Sequence, residues 1–594
     1  MQKLFFVLSL FLTLSACSQE DPAEPAEVVA AETSSSAGAD LMIVNARVYT
    51  LNWPDPLGDG TLSEQAPHDA ADGWQPDAQA VAIKDGEIVY VGSEAGVEAF
   101  RGAQTEVVDA AGATVLPGLA DSHTHIFNLG ASLDRVSLYD VETEEEAVER
   151  IVERAREVPA GEWIVGQGWD EGAWANRYPD MQLLSERVPD HPVYMRSLHS
   201  FAGWGNRMAF DRAGITADTP VPSGGEIRTF EDGNPNGLLL NRAVPLLESA
   251  VPPPDREQLT EQVLVALNQM AKDGYVTVHD AGLGAEEMAI LETLEAENRL
   301  PIRVYAMLSA RDEALSRAWL AQGPDTDNDS FLVTRSVKAY YDGALGSRGA
   351  RMLADYSDRP GHRGVSGGEY GFDQDLVAEM MLKGFQVGVH AIGDAGNMET
   401  LDFLGRVADL DPNGVNKRHR IEHAQVIHPD DMERFADLQI IASMEPPHAV
   451  EDKTWAEQRV GPERILGAYA WRTLREAGVT LTFNADNPGS DHSIFYGMHA
   501  AMTRRDKNLE PAEGWYPEQT MNADETLRAY TQWSAFASFR EDATGKIAEG
   551  RWADITIMDI DPFVLSETDP GAILDGQILM TLVAGKPAYR AENF

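Results

Sequence analysis

Short apolar runs alternate with amphipathic segments over most of the chain, and this alternation sets the first expectation about the fold. Segments 142–158 and 256–273 carry apolar residues every three to four positions, which predicts helices. Compact apolar runs predict strands at Tyr275–His279, Ile302–Leu308, Ser336–Tyr340, Gln386–His390, Arg420–His423, Ile440–Met444 and Thr480–Asn484. Because strands that alternate with helices build parallel sheets, we predict an α/β protein whose residues 116–540 form a TIM-like (β/α)8 barrel.

The two ends of the folded region have a different, strand-rich pattern. Strands are predicted there at Leu41–Leu51, Ala80–Gly92, 106–108, 544–559 and 578–589. We therefore predict a small β-sandwich domain built from residues 41–115 and 541–594. Residues 52–77 are rich in Pro, Gly and Asp, which indicates a long surface loop to which we assign no chemistry.

Polar side chains follow several of the predicted strands. His123 and His125 stand at the end of the apolar run that begins at Leu116. Residues i and i+2 of a strand point to the same side, so both imidazoles could reach one cation, although such a pair is also typical of satisfied polar groups. Four further groups stand at strand ends, namely Lys338, His390, His423 and Asp486. In a barrel the C-terminal strand ends form the active-site face, so these six side chains predict a metal site.

Lys338 is the unusual member of this set because an ammonium group repels a cation. It could join the site only as a carbamate, whose two oxygens are able to bridge metal ions. Composition alone does not reveal that modification.

Charge and cysteine content narrow the possible partners. The formal net charge is -49 and the chain has no cluster of Lys and Arg, which argues against a nucleic-acid partner. The acidity is that of a strongly solvated surface. Cys17 is the single cysteine, so the folded region has neither disulfides nor thiolate metal ligands.

The N-terminal segment is typical of an exported lipoprotein. Lys3 precedes an apolar stretch, Leu4–Leu14, that is too short to span a membrane. Leu14-Ser15-Ala16-Cys17 resembles a bacterial lipobox, so we expect a signal peptide at 1–16 and a lipidated Cys17; an ordinary secretory signal is the alternative. Residues 17–40 lack large apolar side chains and predict a flexible tether. We expect a periplasmic protein of a Gram-negative bacterium, held at the outer membrane only through this lipid.

Several stretches together resemble the amidohydrolase superfamily, in particular the amidohydrolase 3 or YtcJ-like group that includes N-substituted formamide deformylases. The resemblance extends from Asp40 to the C-terminus. Its matching stretches are Val115–His125, Gly166–Trp174, His191–Asn206, Val337–Ala350, Gly388–Asn397, Arg420–Gln425, Asn484–Pro488 and Gly545–Asp561. The chain departs from the family at Asn484-Ala485-Asp486, where Gly-Ser-Asp is usual.

The resemblance implies two metal ions, which we expect to be zinc. It implies that His123, His125 and Asp486 bind one ion, that His390 and His423 bind the second, and that carbamylated Lys338 bridges them. A metal-bound hydroxide, formed because the metal lowers the pKa of water to about 7, would attack the substrate carbonyl. Asp486 would be the catalytic group that passes the water proton to the departing amine.

Other residues are candidates for contact with substrate. His279 could contact substrate or act as a hydrogen-bond partner behind the ligands, and His199 lies in a stretch that matches the family near its pocket. Trp169 and Trp174 could form an aromatic wall, although tryptophan is more often a core residue. Asp342 and Arg348 lie on a Gly-rich loop that could approach a ligand or be purely structural. Six further histidines are interpreted as surface or structural: His68, His362, His428, His448, His492 and His499.

The function predicted from the sequence is hydrolysis of a carbon–nitrogen bond in a small amide, N-formyl or N-acyl substrate. An esterase or lactonase on the same scaffold is the alternative within enzymes. A non-catalytic binding lipoprotein is the rival from another class, and its signature would be a damaged ligand set. The sequence identifies neither the substrate nor the oligomeric state, although the resemblance allows a homodimer because related enzymes often form dimers.

Overall fold

The computed structural model describes residues 38–139, 141–169, 174, 178–197, 201–411 and 418–594. Its centre is a sheet of eight strands, which we label β1 to β8 in chain order. They are β1 Leu119–Thr124, β2 Tyr275–Leu283, β3 Arg303–Ser309, β4 Leu332–Tyr340, β5 Gln386–Ala391, β6 Arg420–His423, β7 Ile441–Met444 and β8 Leu481–Phe483. Each strand pairs in parallel with its neighbours, so the predicted alternation of strands and helices is confirmed.

The eight strands form a nearly closed TIM-like barrel. A parallel bridge from Thr124 to Asn487 joins the end of β1 to the segment after β8. In the ladder between β4 and β5, Tyr340 lies opposite His390, and between β3 and β4, Ser309 lies opposite Lys338. This register brings the polar ends of the strands to the same rim of the barrel.

Most helices pack their apolar faces against the barrel, and the others pack against the inserted sheet or a terminal sheet. The α-helices are Glu94–Val97, Ile126–Leu133, Glu144–Ala155, Met181–Arg187, Arg207–Ala213, Pro245–Glu248, Arg256–Lys272, Ala285–Ala296, Glu313–Gln322, Gly367–Tyr370, Gln374–Lys383, Asp394–Ala408, Pro429–Asp437, Pro446–Asp452, Ala456–Arg464, Trp471–Glu476, Ile494–Thr503, Ala523–Ala529, Gln532–Ala537 and Pro562–Thr568. Local signals set their ends: Asp255 caps Arg256–Lys272 in a reciprocal pair with Gln258. Both helices predicted by periodicity are confirmed to within a few residues at each end.

A second, mixed sheet is inserted between β1 and β2. Its six strands, in spatial order, are Val136–Ser137, Ile164–Trp169, Val193–Ser197, Ala202–Gly205, Pro235–Asn241 and Gly225–Thr229. The sequence analysis treated this range as part of the barrel and did not separate the insertion. Several of these strands are short or contain glycine, so their apolar alternation is too weak to distinguish them from barrel elements.

The chain ends form two further sheets. One joins Glu87–Gly92, Ala80–Lys84, Leu41–Val44 and Glu106–Asp109, and the other joins Arg47–Val48, Thr114–Pro117, Ile555–Met558, Ile578–Val583 and Lys586–Arg590. Side chains of both sheets share one buried cluster that includes Ile43, Val115 and Ile557. The second sheet contains strands from both ends of the chain; the assignment of the pair as a sandwich domain stays a prediction.

The segment predicted as a long loop at 52–77 contains a short hairpin of His68–Asp69 with Gly73–Trp74. Trp74 packs against Trp53 and Phe563, and Trp53 Nε1 donates to Asp524 Oδ2 at 3.1 Å. These contacts indicate that the segment covers helices at the outside of the barrel.

A buried ion pair joins the barrel to the C-terminal sheet. Arg303 at the start of β3 donates through Nε to Asp554 Oδ2 at 2.8 Å and through Nη2 to Oδ1 at 3.3 Å. The guanidinium also lies 3.8 Å from the centre of the Trp552 ring. Within the described ranges, no helix is both long enough and apolar enough to cross a membrane.

Candidate metal centre

The side chains predicted at the strand ends meet at the C-terminal rim of the barrel. His123 Nε2 lies 3.0 Å from Lys338 Nζ and 3.5 Å from Asp486 Oδ1. His125 Nε2 approaches the same carboxylate oxygen to 3.3 Å. Three strands therefore deliver four of the six predicted groups to one point.

The other two histidines complete the cluster. The ring of His423 lies 5.0 Å from the ring of His123 and 4.4 Å from the ring of His390. His123, His423 and Asp486 each offer a ligand atom, and these atoms lie within 4.8 Å of one another. His423 (φ 72°) and Asp486 (φ 48°) have left-handed backbone conformations, which are uncommon for residues other than glycine and recur at functional sites.

Glu422 and Arg420, which the sequence analysis did not select, hold His123 in place. Glu422 Oε2 accepts a hydrogen bond from His123 Nδ1 at 2.7 Å, and both side chains are fully buried. Because Nδ1 donates to the carboxylate, Nε2 presents its lone pair to the cluster. Arg420 pairs with the same carboxylate, with Nε 2.8 Å from Oε1. Burial lowers the pKa of His123 to about 4, with Lys338 contributing, so the ring is neutral at physiological pH.

A second carboxylate lies behind His423. Glu445 Oε1 is 3.2 Å from His423 Nδ1, and Glu445 Oε2 is 3.6 Å from His448 Nδ1. His423, Glu445 and His448 form a second group able to hold a cation. His448, interpreted from the sequence as surface or structural, thus lies beside the predicted ligands. The signal that could have found it is its position just beyond the end of β7.

Lys338 is fully buried at the base of the cluster. Burial lowers the pKa of its ammonium to about 8. Its Nζ lies 4.6 Å from the centre of the Tyr340 ring, and that ring lies 5.6 Å from the ring of His390. Tyr340 therefore forms one wall of the site.

The departure from the usual Gly-Ser-Asp segment has a visible consequence at the end of β8. Asn484 Oδ1 accepts a hydrogen bond from the Asp486 backbone N–H at 3.0 Å, and Asn484 Nδ2 donates to Ser443 Oγ at 3.1 Å. Asn484 thereby ties the turn that carries Asp486 to the adjacent strand β7.

The donor set fits a divalent cation. His123 Nε2 and Asp486 Oδ1 lie 3.5 Å apart, a separation at which one ion can contact both atoms at ordinary zinc–ligand distances. His390 Nε2 is buried and makes no hydrogen bond within the part of the chain that the structure describes. Nitrogen and oxygen donors of this kind are typical zinc ligands.

The other sequence candidates have different surroundings. Trp169 and Trp174 pack with Trp204 in the core of the inserted sheet, and their Nε1 groups donate to the Met195 and Val141 carbonyls. That environment is typical of core residues, so a substrate contact by Trp169 stays a prediction. His199 lies outside the described residues.

His279 is fully buried inside the barrel, where Arg420 Nη1 lies 2.9 Å from its Nδ1. Its position supports the alternative of a partner behind the ligands, because Arg420 also holds Glu422. Substrate contact by His279 is not tested by these contacts.

Asp342 and Arg348 each have partners within the loop after β4. Asp342 accepts hydrogen bonds from the backbone N–H groups of Arg351, Ile392 and Gly393 at 2.8 to 2.9 Å. Arg348 makes a two-point contact with Asp358, at 3.0 and 2.7 Å. These contacts support the structural interpretation of the loop, and a role for either residue in binding substrate stays a prediction.

Comparisons with known proteins agree with this geometry. A family model described as "Amidohydrolase family" matches residues 106–589. The Bacillus subtilis (strain 168) protein YtcJ, whose name assigns it to the amidohydrolases, is 29% identical over 518 residues that cover 86% of this chain and 96% of its own. The N-substituted formamide deformylase of Arthrobacter pascens is 28% identical over 566 residues, covering 93% of this chain and 98% of its own. The crystal structure of an uncharacterized metal-dependent hydrolase from Pyrococcus furiosus superposes with a TM-score of 0.66 at 25% identity, covering 88% of this chain and 99% of that one.

Proposed function

The chain belongs to the amidohydrolase family, and from this premise we propose that it cleaves the carbon–nitrogen bond of an amide, N-formyl or N-acyl substrate. At the coarser level the protein is a metal-dependent hydrolase. The observation that supports the finer assignment is the convergence of His123, Lys338 and Asp486 at one rim of the barrel. The ligand set is intact, which separates this chain from a binding protein that has lost its catalytic groups.

The residues divide between two ion positions. We assign His123, His125 and Asp486 to one ion and His390 with His423 to a second, with zinc as the expected metal. Bound there, such ions act as Lewis acids that polarise a carbonyl and lower the pKa of water to about 7.

Lys338 is assigned as the bridging carbamate. Carbamate formation needs a neutral amine, and the lowered pKa of Lys338 makes the neutral form accessible near physiological pH. The carbamate would also replace a cation, unfavourable beside metal ions, with an anionic oxygen donor.

The remaining chemistry belongs to side chains of the protein. Asp486 Oδ1 lies within 3.5 Å of both His123 and His125, so the carboxylate is positioned to accept the proton of the attacking water and transfer it to the departing nitrogen. Glu422 holds the His123 tautomer that presents Nε2 to the site. His123 and Glu422 are fully buried, which strengthens their hydrogen bond, whereas the Asp486 side chain is 21% exposed and can meet the attacking water.

The test is a substrate screen with purified, zinc-loaded protein. Formanilide, N-acetyl amino acids, aryl amides, lactones and simple esters are compared by kcat/KM, with metal content measured on the same samples. We expect amide or formamide hydrolysis at about two zinc ions per chain. Hydrolysis confined to lactones or esters would replace the proposal with the esterase alternative, and a folded protein that takes up no metal would overturn both.

We also propose that the protein is exported and lipidated at Cys17, as its N-terminal sequence indicates. Expression in a Gram-negative host followed by membrane fractionation tests this. The native chain should partition with outer membranes and Cys17→Ser should not; equal distribution of the two would contradict lipidation.

A further inference from the structure

Arg311 stands at the rim of the metal centre, two residues beyond the end of β3. Its neighbour Ala310 donates a backbone hydrogen bond to the Lys338 carbonyl at 2.9 Å, which places this segment beside the base of the site. The Arg311 guanidinium lies 3.9 Å from the centre of the Tyr340 ring and 5.3 Å from that of Tyr370. Because Lys338 contacts the same Tyr340 ring, the guanidinium is one aromatic ring away from the predicted bridging group.

No acidic side chain in the described ranges forms an ion pair with Arg311. Its guanidinium donors are therefore not taken up by a carboxylate of the described chain. The nearby acids already hold backbone N–H groups: Asp312 accepts from Leu315 and Ala285, and Glu287 accepts from Gly284. Arg311 is exposed, so its donors face solvent at the mouth of the site.

We propose that Arg311, which stacks on Tyr340 near Tyr370, binds a carboxylate of the substrate, and that the enzyme therefore prefers amides carrying a free carboxylate close to the scissile bond, as in N-acyl amino acids. This inference deepens the proposed function and rests on it for the identity of the scissile bond. Guanidinium is suited to the task because its donors form two parallel hydrogen bonds with a carboxylate. Stacking on tyrosine limits its motion, so little conformational freedom remains to be lost on binding.

An acidic protein surface repels an anionic substrate, and Arg311 supplies a local positive charge at the rim that offsets this repulsion. In an N-acyl amino acid the carboxylate is separated from the amide nitrogen by a single carbon. The Arg311 guanidinium and Lys338 Nζ lie 3.9 Å and 4.6 Å from the centre of the same Tyr340 ring, so a small substrate of this kind can reach from one to the other.

The experiment compares matched substrate pairs in wild type and Arg311→Gln. Each pair consists of an N-acetyl amino acid and its carboxamide, in the glycine, leucine and phenylalanine series, so that only the carboxylate differs. We expect wild type to prefer the acids, and Arg311→Gln to lower kcat/KM on the acids by about 10- to 100-fold, mainly through KM, with little change on the carboxamides. Arg311→Lys should keep part of the preference for the acids, because lysine retains the positive charge but lacks the planar guanidinium that forms two parallel hydrogen bonds with a carboxylate.

Arg406→Gln is the matched control. Arg406 is also an exposed arginine near an aromatic ring, 5.8 Å from Phe403, but it lies in the last turn of helix Asp394–Ala408, far from the strand ends. The Arg406→Gln substitution should leave kcat/KM unchanged on both the acids and the carboxamides. Equal losses on acids and carboxamides in Arg311→Gln, or no preference for the acids in wild type, would overturn the proposal.

Calorimetric binding of the same N-acetyl amino acids and carboxamides separates this inference from the proposed function. If wild type hydrolyses no amide but binds the acids in preference to the carboxamides, and Arg311→Gln loses that preference, the carboxylate site stands and the proposed reaction fails. If wild type hydrolyses formanilide and Arg311→Gln binds acids as well as wild type does, the carboxylate site fails and the proposed reaction stands.

Discussion

Replacing Glu422 by Gln would test whether the buried carboxylate that accepts a hydrogen bond from His123 determines the affinity for metal. Glu422 accepts from His123 Nδ1 at 2.7 Å and pairs with Arg420, and none of the three side chains is exposed. Gln keeps the volume of the side chain but removes its charge, and its amide can present an N–H group to His123. The substitution therefore weakens the interaction that keeps the Nε2 lone pair directed at the cluster.

The structure predicts two separable losses. Removing a partner behind a metal-binding histidine costs about 10- to 100-fold in metal affinity, or about 1.4 to 2.7 kcal/mol. Independently, Arg420 remains buried without its counter-charge, which lowers the free energy of unfolding by about 3 to 5 kcal/mol. Glu422→Asp retains the charge for Arg420 but shortens the reach to His123, so it should lose metal affinity with a smaller loss of stability.

The assay is a zinc titration against a competing chelator, with urea unfolding of the metal-free protein measured in parallel. Glu525→Gln is the matched control, because Glu525 is also fully buried and paired with an arginine, Arg472, but lies on helix Ala523–Ala529. It should lose comparable stability with unchanged zinc affinity. If Glu422→Gln bound zinc as tightly as wild type does, the reasoning about His123 would be refuted.

Three further substitutions test other parts of the structure. Lys338→Ala should abolish turnover and lower zinc stoichiometry, with partial recovery on addition of short carboxylates that replace the carbamate; unchanged turnover would rule out bridging. Asp486→Asn should keep much of the bound metal, measured by elemental analysis, yet lower kcat by at least about 100-fold, since general acid–base catalysis contributes at least that factor; a near-normal rate would exclude the proton transfer. Asp554→Asn should destabilise the fold by about 3 to 5 kcal/mol in urea unfolding because Arg303 would remain buried without a counter-charge; an unchanged unfolding midpoint would show that the pair does not stabilise the junction.

Much of the barrel follows from local sequence patterns. Strand β6 was predicted with both bounds correct, and the helix predicted at 256–273 was found at Arg256–Lys272. Apolar runs and helical periodicity are properties of neighbouring residues, so they can be recognised in a single sequence. The inserted sheet between β1 and β2 escaped prediction because its short strands gain stability from cross-strand packing rather than from their own pattern.

The six polar residues at strand ends could be selected from the sequence because barrel topology places the C-terminal end of every strand at one rim. The side chains that hydrogen-bond to these residues could not be selected in the same way. Glu422 is 299 residues from His123 along the chain, and its hydrogen bond exists only because β1 and β6 face each other across the barrel. Arg311 was not selected from the sequence, because its position on the Tyr340 ring results from the pairing of β3 with β4.

The sequence by itself determined which elements form and which side chains stand at their ends, because both depend on residues close together in the chain. Tertiary structure alone decided which tautomer His123 adopts, that His448 lies beside the ligands, and that Trp169 packs in a core. Those outcomes depend on distances between segments separated by tens to hundreds of residues. Only closure of the barrel and packing of the inserted sheet establish such distances.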